Sequence, residues 1–140
     1  MINYNYETNF LLDNEIAYTE WIESVIESEN KELNEINYIF CDDEYLLEIN
    51  KQYLDHDYYT DVISFDYTEE GLIAGDIFIS IDRVKENASN LGISFEEELK
   101  RVVIHGVLHY CGYKDKNPIE EEIMRSKEDE KIKMFHVKHN

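Results

Sequence analysis

Residues 94–115 read Ser94-Phe-Glu-Glu-Glu-Leu-Lys-Arg-Val-Val-Ile-His105-Gly-Val-Leu-His109-Tyr-Cys-Gly112-Tyr-Lys-Asp115. They spell a helix with a marked start and a marked stop. Ser94 with Glu97 three residues on is a capping box. Leu99, Val102, Val103 and Leu108 follow at helical spacing. Gly112 is the natural residue just past the helix end, where a left-handed backbone is needed. His105 and His109 are four apart, which puts both imidazoles on one face, one turn from each other. Asp115 lies beyond the chain reversal, placed to return to the same point in space. Two imidazoles and a carboxylate form a common catalytic zinc set with a fourth position left for water. Zinc lowers the pKa of such a water to about 7.

The pair also has a plainer reading, as surface histidines or as core histidines satisfied by neighbours. The metalloprotease signature requires Glu directly after the first His as general base. Gly106 stands there, which argues against peptide hydrolysis and leaves the base unassigned. Cys111, six residues from His105, points off the histidine face.

Outward from this helix the chain alternates strand and helix signals. Residues 2–6 suit a short edge strand. Asp13 suits an N-cap for a helix over about 14–29, carrying Ala17, Trp21, Ile22, Val25 and Ile26. Ile36–Cys41 is a β-type run, and Asp42 and Asp43 can cap a helix that turns Leu46, Leu47 and Ile49 inward. Residues 60–65 and 74–80 read as two antiparallel strands about a turn at Glu69-Glu70-Gly71. A helix over about 82–91 ends at Gly92. Asn117-Pro118-Ile-Glu120 opens a final helix running to about 134. The expected fold is α+β, with a small mixed sheet of about four strands, helices packed around it and a zincin-like metal helix.

The 140 residues suit a single domain spanning 1–140. Hydrophobic residues make up 43%, enough for a real core, and one Pro with five Gly leaves no linker tract. The formal net charge of −19 opposes non-specific binding to nucleic acid, which depends on neutralising phosphates. An RNA ligand would therefore need a local basic patch, a metal or an escorting partner. Cys41 and Cys111 are too few for a disulfide framework and read as reduced thiols. No segment reads as a signal peptide or a membrane span, so a cytoplasmic protein without membrane contact is expected.

The run His105-Gly-Val-Leu-His109-Tyr-Cys-Gly112-Tyr113 resembles the YbeY family signature H-G-x-L-H-x-x-G-Y-D-H. Thr60-Asp61-Val62-Ile63-Ser64-Phe65 is similar to that family's T-D-V-L-S-F strand, and Gly75-Asp76-Ile77-Phe78-Ile79-Ser80 to its G-D-I-x-I-S strand. The three blocks keep the family's order over about residues 45–135. The resemblance implies a zinc-dependent endoribonuclease that matures ribosomal RNA, including the 3′ end of the small-subunit RNA, and serves ribosome quality control. It implies one zinc ion and, as partners, the small ribosomal subunit and ribosome-associated proteins. Alignment of the motif puts Asp115 where the family usually has a third histidine, giving His105, His109 and Asp115 as ligands, and puts Lys114 at the family's Asp. Leu54 stands where the family usually has an arginine. Arg83 and Arg101 are the candidate replacements, with an ion pair or a solvated side chain as the alternative for each. The resemblance also places Ser64 and Asp61 along the cleft, although Asp61 equally suits a turn before its strand.

Two other functions remain open from sequence: an assembly factor with a structural metal, and a hydrolase of peptides or small molecules. The tail Met134-Phe-His136-Val-Lys-His139 offers two further histidines for weak metal binding. It can also be encoded by ATG-TTT-CAC-GTG-AAA-CAT. That string is its own reverse complement and resembles the centromere-like sites bound by bacterial chromosome-partition proteins, so a constraint at the level of DNA is expected there.

Overall fold

A computed structural model describes residues 1–139. The chain runs β1 (Ile2–Tyr6), α1 (Glu15–Ser28), β2 (Glu32–Cys41), α2 (Asp43–Leu54), β3 (Val62–Asp66), β4 (Leu72–Ser80), α3 (Ile81–Leu91), α4 (Phe95–Tyr110) and α5 (Pro118–His139). The four strands form one sheet in the order β1-β2-β4-β3. β1 and β4 each pair with β2 in parallel, while β3 returns antiparallel to β4. The sheet is therefore mixed, as expected.

Local chemistry explains most of the boundaries. The β3–β4 turn has positive φ at both Glu70 (50°) and Gly71 (78°), the backbone twist that matches two antiparallel strands. Ser94 Oγ accepts from the Glu97 amide at 3.1 Å, and Asn117 Oδ1 from the Glu120 amide at 2.9 Å, so both sequence-read caps form. Gly92 (φ 70°) closes α3, and Gly112 (φ 108°) turns the chain after α4.

β4 starts at Leu72, two residues before the expected start, and four further expectations shift. The cap of α1 is Asn14, whose side chain accepts from the Ala17 amide, one residue beyond Asp13. β2 begins at Glu32, drawn into the sheet by the bond from its amide to the Gly71 carbonyl. β3 begins at Val62; Asp61 precedes it and gives its carbonyl to the Ser80 amide. Helix α5 continues to His139, and Phe135 near its end packs on Tyr18 and Trp21 of α1.

One sheet face carries the main core. Ile36, Tyr38 and Phe40 of β2 and Ile73, Ile77 and Ile79 of β4 meet Trp21, Ile22, Val25 and Ile26 of α1 and Val103 and Val107 of α4. The opposite face holds a smaller cluster of Cys41, Leu46 and Ile63 beneath α2. Buried polar groups in the main core are paired: the Tyr38 hydroxyl donates to the Val103 carbonyl, and Trp21 Nε1 to the Lys131 carbonyl. Together these bonds lock α4 to the sheet and α5 to α1, which fixes where the two histidines of α4 face.

Candidate metal centre

Helix α4 buries Leu99, Val102, Val103, Val107 and Leu108 and leaves His105 and His109 half-buried on its other side. Gly106 lets α4 pack closely on the sheet. A Cβ there would lie 2.8 Å from Ile77 Cδ1 of β4, so any larger residue forces the Ile77 side chain or the helix to shift. A glutamate at residue 106 would point into the core and could not serve as a base.

The three expected ligands converge. His105 Nε2 and His109 Nε2 are 3.0 Å apart, and Asp115 Oδ2 lies 3.2 Å from the first and 3.3 Å from the second. Tetrahedral ligands at metal bonds of about 2.1 Å stand about 3.4 Å from one another. The triangle therefore has the size of one face of a tetrahedral site. His109 Nδ1 donates to the Tyr113 carbonyl at 2.8 Å, because a carbonyl can only accept. His105 Nδ1 donates to Glu128 Oε2 at 2.6 Å. Both bonds hold the proton on Nδ1 and turn the Nε2 lone pairs toward each other. Two lone pairs and a carboxylate oxygen aimed at one point fit a cation, and these are the His, His and Asp donors that suit zinc.

Burial pulls the His105 pKa down. The bond to Glu128 and the charges of Glu128, Asp115 and Asp61 outweigh it, and the pKa is raised above the ordinary histidine value. The negative surroundings favour positive charge at this position, whether it comes as a proton or as a metal ion.

Glu128 was not legible in the sequence. It sits on α5, 5% exposed, and its Oε1 receives Arg101 Nη1 at 2.9 Å while Arg101 Nη2 reaches Asp129 at 2.7 Å. The only sequence signal for it is a carboxylate on a helix that must pack somewhere on the domain.

The other sequence candidates lie as follows. Arg101 lines the cleft beside His105, with its guanidinium committed to Glu128 and Asp129. Arg83 is held by Asp43 at 2.7 Å and Glu86 at 3.3 Å and lines neither cavity that contains His105. The structure thus gives Arg83 the ion-pair alternative. Ser64, half-buried on β3, lies against the Tyr110 hydroxyl, outside both cavities. Asp61 lines the cleft with His105. Cys111 is outside the ligand group. Of the tail histidines, the His139 side chain lies outside the described residues.

Two cavities flank His105. One of about 260 Å³ is bounded by Asp61, Glu98, Arg101, Arg125 and Glu128, and one of about 350 Å³ by Asp115, Glu121, Met124, Arg125 and Glu128. A larger groove of about 810 Å³ between α1 and α5 touches none of the three ligands. Among the described residues no helix is long and apolar enough to cross a membrane.

Comparison with known proteins gives one consistent picture. The profile of a family described as Endoribonuclease YbeY matches residues 3–136. A Flavobacterium johnsoniae protein named Endoribonuclease YbeY is 66% identical over 98% of this chain and 99% of its own length. A Flavobacterium psychrophilum protein of the same name is 66% identical over the whole of both chains. Another from Bacteroides thetaiotaomicron is 53% identical over 83% of this chain and 85% of its own length. The solution structure of TM1509 from Thermotoga maritima superposes with a TM-score of 0.68 at 28% identity, covering 99% of this chain and 94% of that one.

Proposed function

The chain belongs to the Endoribonuclease YbeY family, and from that premise we propose that it is a zinc-dependent endoribonuclease acting on single-stranded segments of ribosomal RNA. The observation that carries the reading is the convergence of His105 Nε2, His109 Nε2 and Asp115 Oδ2 within 3.3 Å of one another. The relatives' printed name supplies the reaction, and the donor set is suited to it.

The ion held by these three residues would supply Lewis acidity toward a phosphoryl oxygen and an activated water. The protein's own part is orientation and charge. Glu128 and the Tyr113 carbonyl fix both imidazole rings and their tautomers. Arg101 balances the Glu128 charge, so that the pair can sit almost buried beside the metal residues. The reversal at Gly112 lets Asp115 come back over α4. The cleft beyond His105 gives a nucleotide strand a place to lie next to the reacting centre.

The biological setting proposed is maturation of ribosomal RNA, including the small-subunit 3′ end, and ribosome quality control. The small subunit and its associated proteins would be partners, in the cytoplasm. The deciding experiment is cleavage of a labelled single-stranded RNA by metal-loaded protein. Activity should vanish in His109→Ala and with a strong chelator. Intact RNA under zinc, manganese, magnesium and nickel would overturn the proposal.

A second reading, a metal-stabilised assembly factor without nuclease activity, draws support from Leu54 and from the internal pairing of Arg83 and Arg101. It is selected if a His105→Ala, His109→Ala double variant still sediments with small subunits and rescues growth.

A further inference from the structure

A strand of RNA approaching a protein of charge −19 is favoured by any cation near the reacting centre that no carboxylate already neutralises. The chain has three arginines, Arg83, Arg101 and Arg125. Arg83 and Arg101 are each held by two carboxylates. Arg125 makes no ion pair or hydrogen bond among the described residues. It follows the buried Met124 on α5 and stands three residues before Glu128, on the face turned toward His105. It lines both cavities that flank His105, and so bridges them.

The smaller of these cavities holds a second signal. Glu98 is 6% exposed, and its Oε1 has no hydrogen-bond partner. A buried carboxylate oxygen left unpaired costs stability. Burial and the neighbouring Asp61 charge raise the Glu98 pKa, against the pull of Arg101 and Arg125. A carboxylate oxygen without a hydrogen-bond partner and a guanidinium without an ion pair thus line one cleft beside the metal residues.

We infer that this cleft is a nucleotide subsite, in which Arg125 grips a phosphodiester of the RNA strand and Glu98 Oε1 accepts an N–H or O–H from the base or sugar of the same nucleotide. The guanidinium fork matches two phosphate oxygens. The subsite supplies the phosphate-binding cation that Leu54 cannot. The inference rests on the endoribonuclease reading and names the substrate contact within it.

The test uses the zinc-loaded protein and labelled single-stranded oligoribonucleotides. Arg125→Ala should raise KM about tenfold or more, the loss of a charge-assisted phosphate contact. It should flatten the dependence of log affinity on log salt by about 0.7, one phosphate contact to a single strand. Metal content should not change. Arg125→Lys should restore the salt slope and part of the KM. Lys85→Ala removes the same charge from an exposed position of α3 outside both cavities, and should leave KM and slope unchanged. Glu98→Gln should raise the melting temperature while altering the relative rates on oligomers of A, C, G and U. A wild type that cleaves, beside an Arg125→Ala variant with unaltered KM and slope, overturns the subsite and leaves the endoribonuclease reading intact. A wild type inactive on every oligomer with every metal overturns both. A Glu98→Gln variant that melts lower, with unchanged base preference, assigns Glu98 to structure and removes it from the subsite.

Discussion

His105 of α4 donates from Nδ1 to Glu128 Oε2 of α5 across 2.6 Å, so that one helix carries a proposed metal ligand and the next carries the group that would aim it. A carboxylate behind a ligating imidazole fixes its tautomer and raises its basicity. Glu128→Ala is expected to weaken zinc binding by about 10- to 100-fold, read by competition with a chromophoric chelator. Glu128→Gln should fall between the two, because its carbonyl still accepts the Nδ1 proton without the charge. An affinity within twofold of wild type would remove Glu128 from the site.

In the proposed site Asp115 would supply an oxygen at the place where the family resemblance implies a histidine nitrogen. Asp115→Ala should abolish stoichiometric zinc at micromolar protein. Asp115→His should retain zinc and shift preference away from manganese and magnesium, since imidazole is the softer donor. Metal content after dialysis against mixed divalent ions distinguishes the outcomes.

Gly106 tests how tightly α4 sits on the sheet. The added methyl of Gly106→Ala meets Ile77, so a loss of about 1–3 kcal/mol is expected from overpacking, despite alanine's better helix propensity. Urea unfolding measures it. A stabilised variant would show that the helix moves away at no cost.

A charged cluster near α1 predicts the acid limb of the stability curve. Lys131, 2% exposed, bonds Glu29 Oε2 at 2.8 Å, and the Tyr113 hydroxyl donates to Glu29 Oε1 at 2.7 Å. Burial pushes the Glu29 pKa up, but the bonds from Lys131 and Tyr113 outweigh it and hold the carboxyl below its ordinary value. A carboxyl lowered on folding adds stability that is complete above its unfolded pKa of about 4.3 and is lost as pH falls through the folded one. Glu29→Gln should therefore be less stable than wild type at pH 7, with the gap closing below about pH 4. Urea midpoints across pH 3–7 decide it, and a constant gap would refute the linkage.

The tail yields a prediction about the gene. Phe135 packs on Tyr18 and Trp21, a protein-level reason for that residue, whereas Val137 is 86% exposed and gains nothing from burial. The codons for residues 134–139 are expected to form the self-complementary string ATG-TTT-CAC-GTG-AAA-CAT. Synonymous codons that break the palindrome end the idea, and the gene sequence alone settles it.

What the sequence determined by itself is what neighbours along the chain enforce. The N-caps at Ser94 and Asn117, the turn at Glu70-Gly71, the reversal at Gly112 and the shared face of His105 and His109 all follow from bonds spanning a few residues. The hydrophobic periods likewise told helices from strands. Only the tertiary structure decided the rest: that Glu128, 23 residues on, stands behind His105; that Asp43 and Glu128 consume Arg83 and Arg101; that Arg125 is left to face the cleft. These relations depend on how α5 lies across α4 and how α2 meets α3. Helix packing is set by shapes summed over many distant side chains, and no short span of sequence carries it.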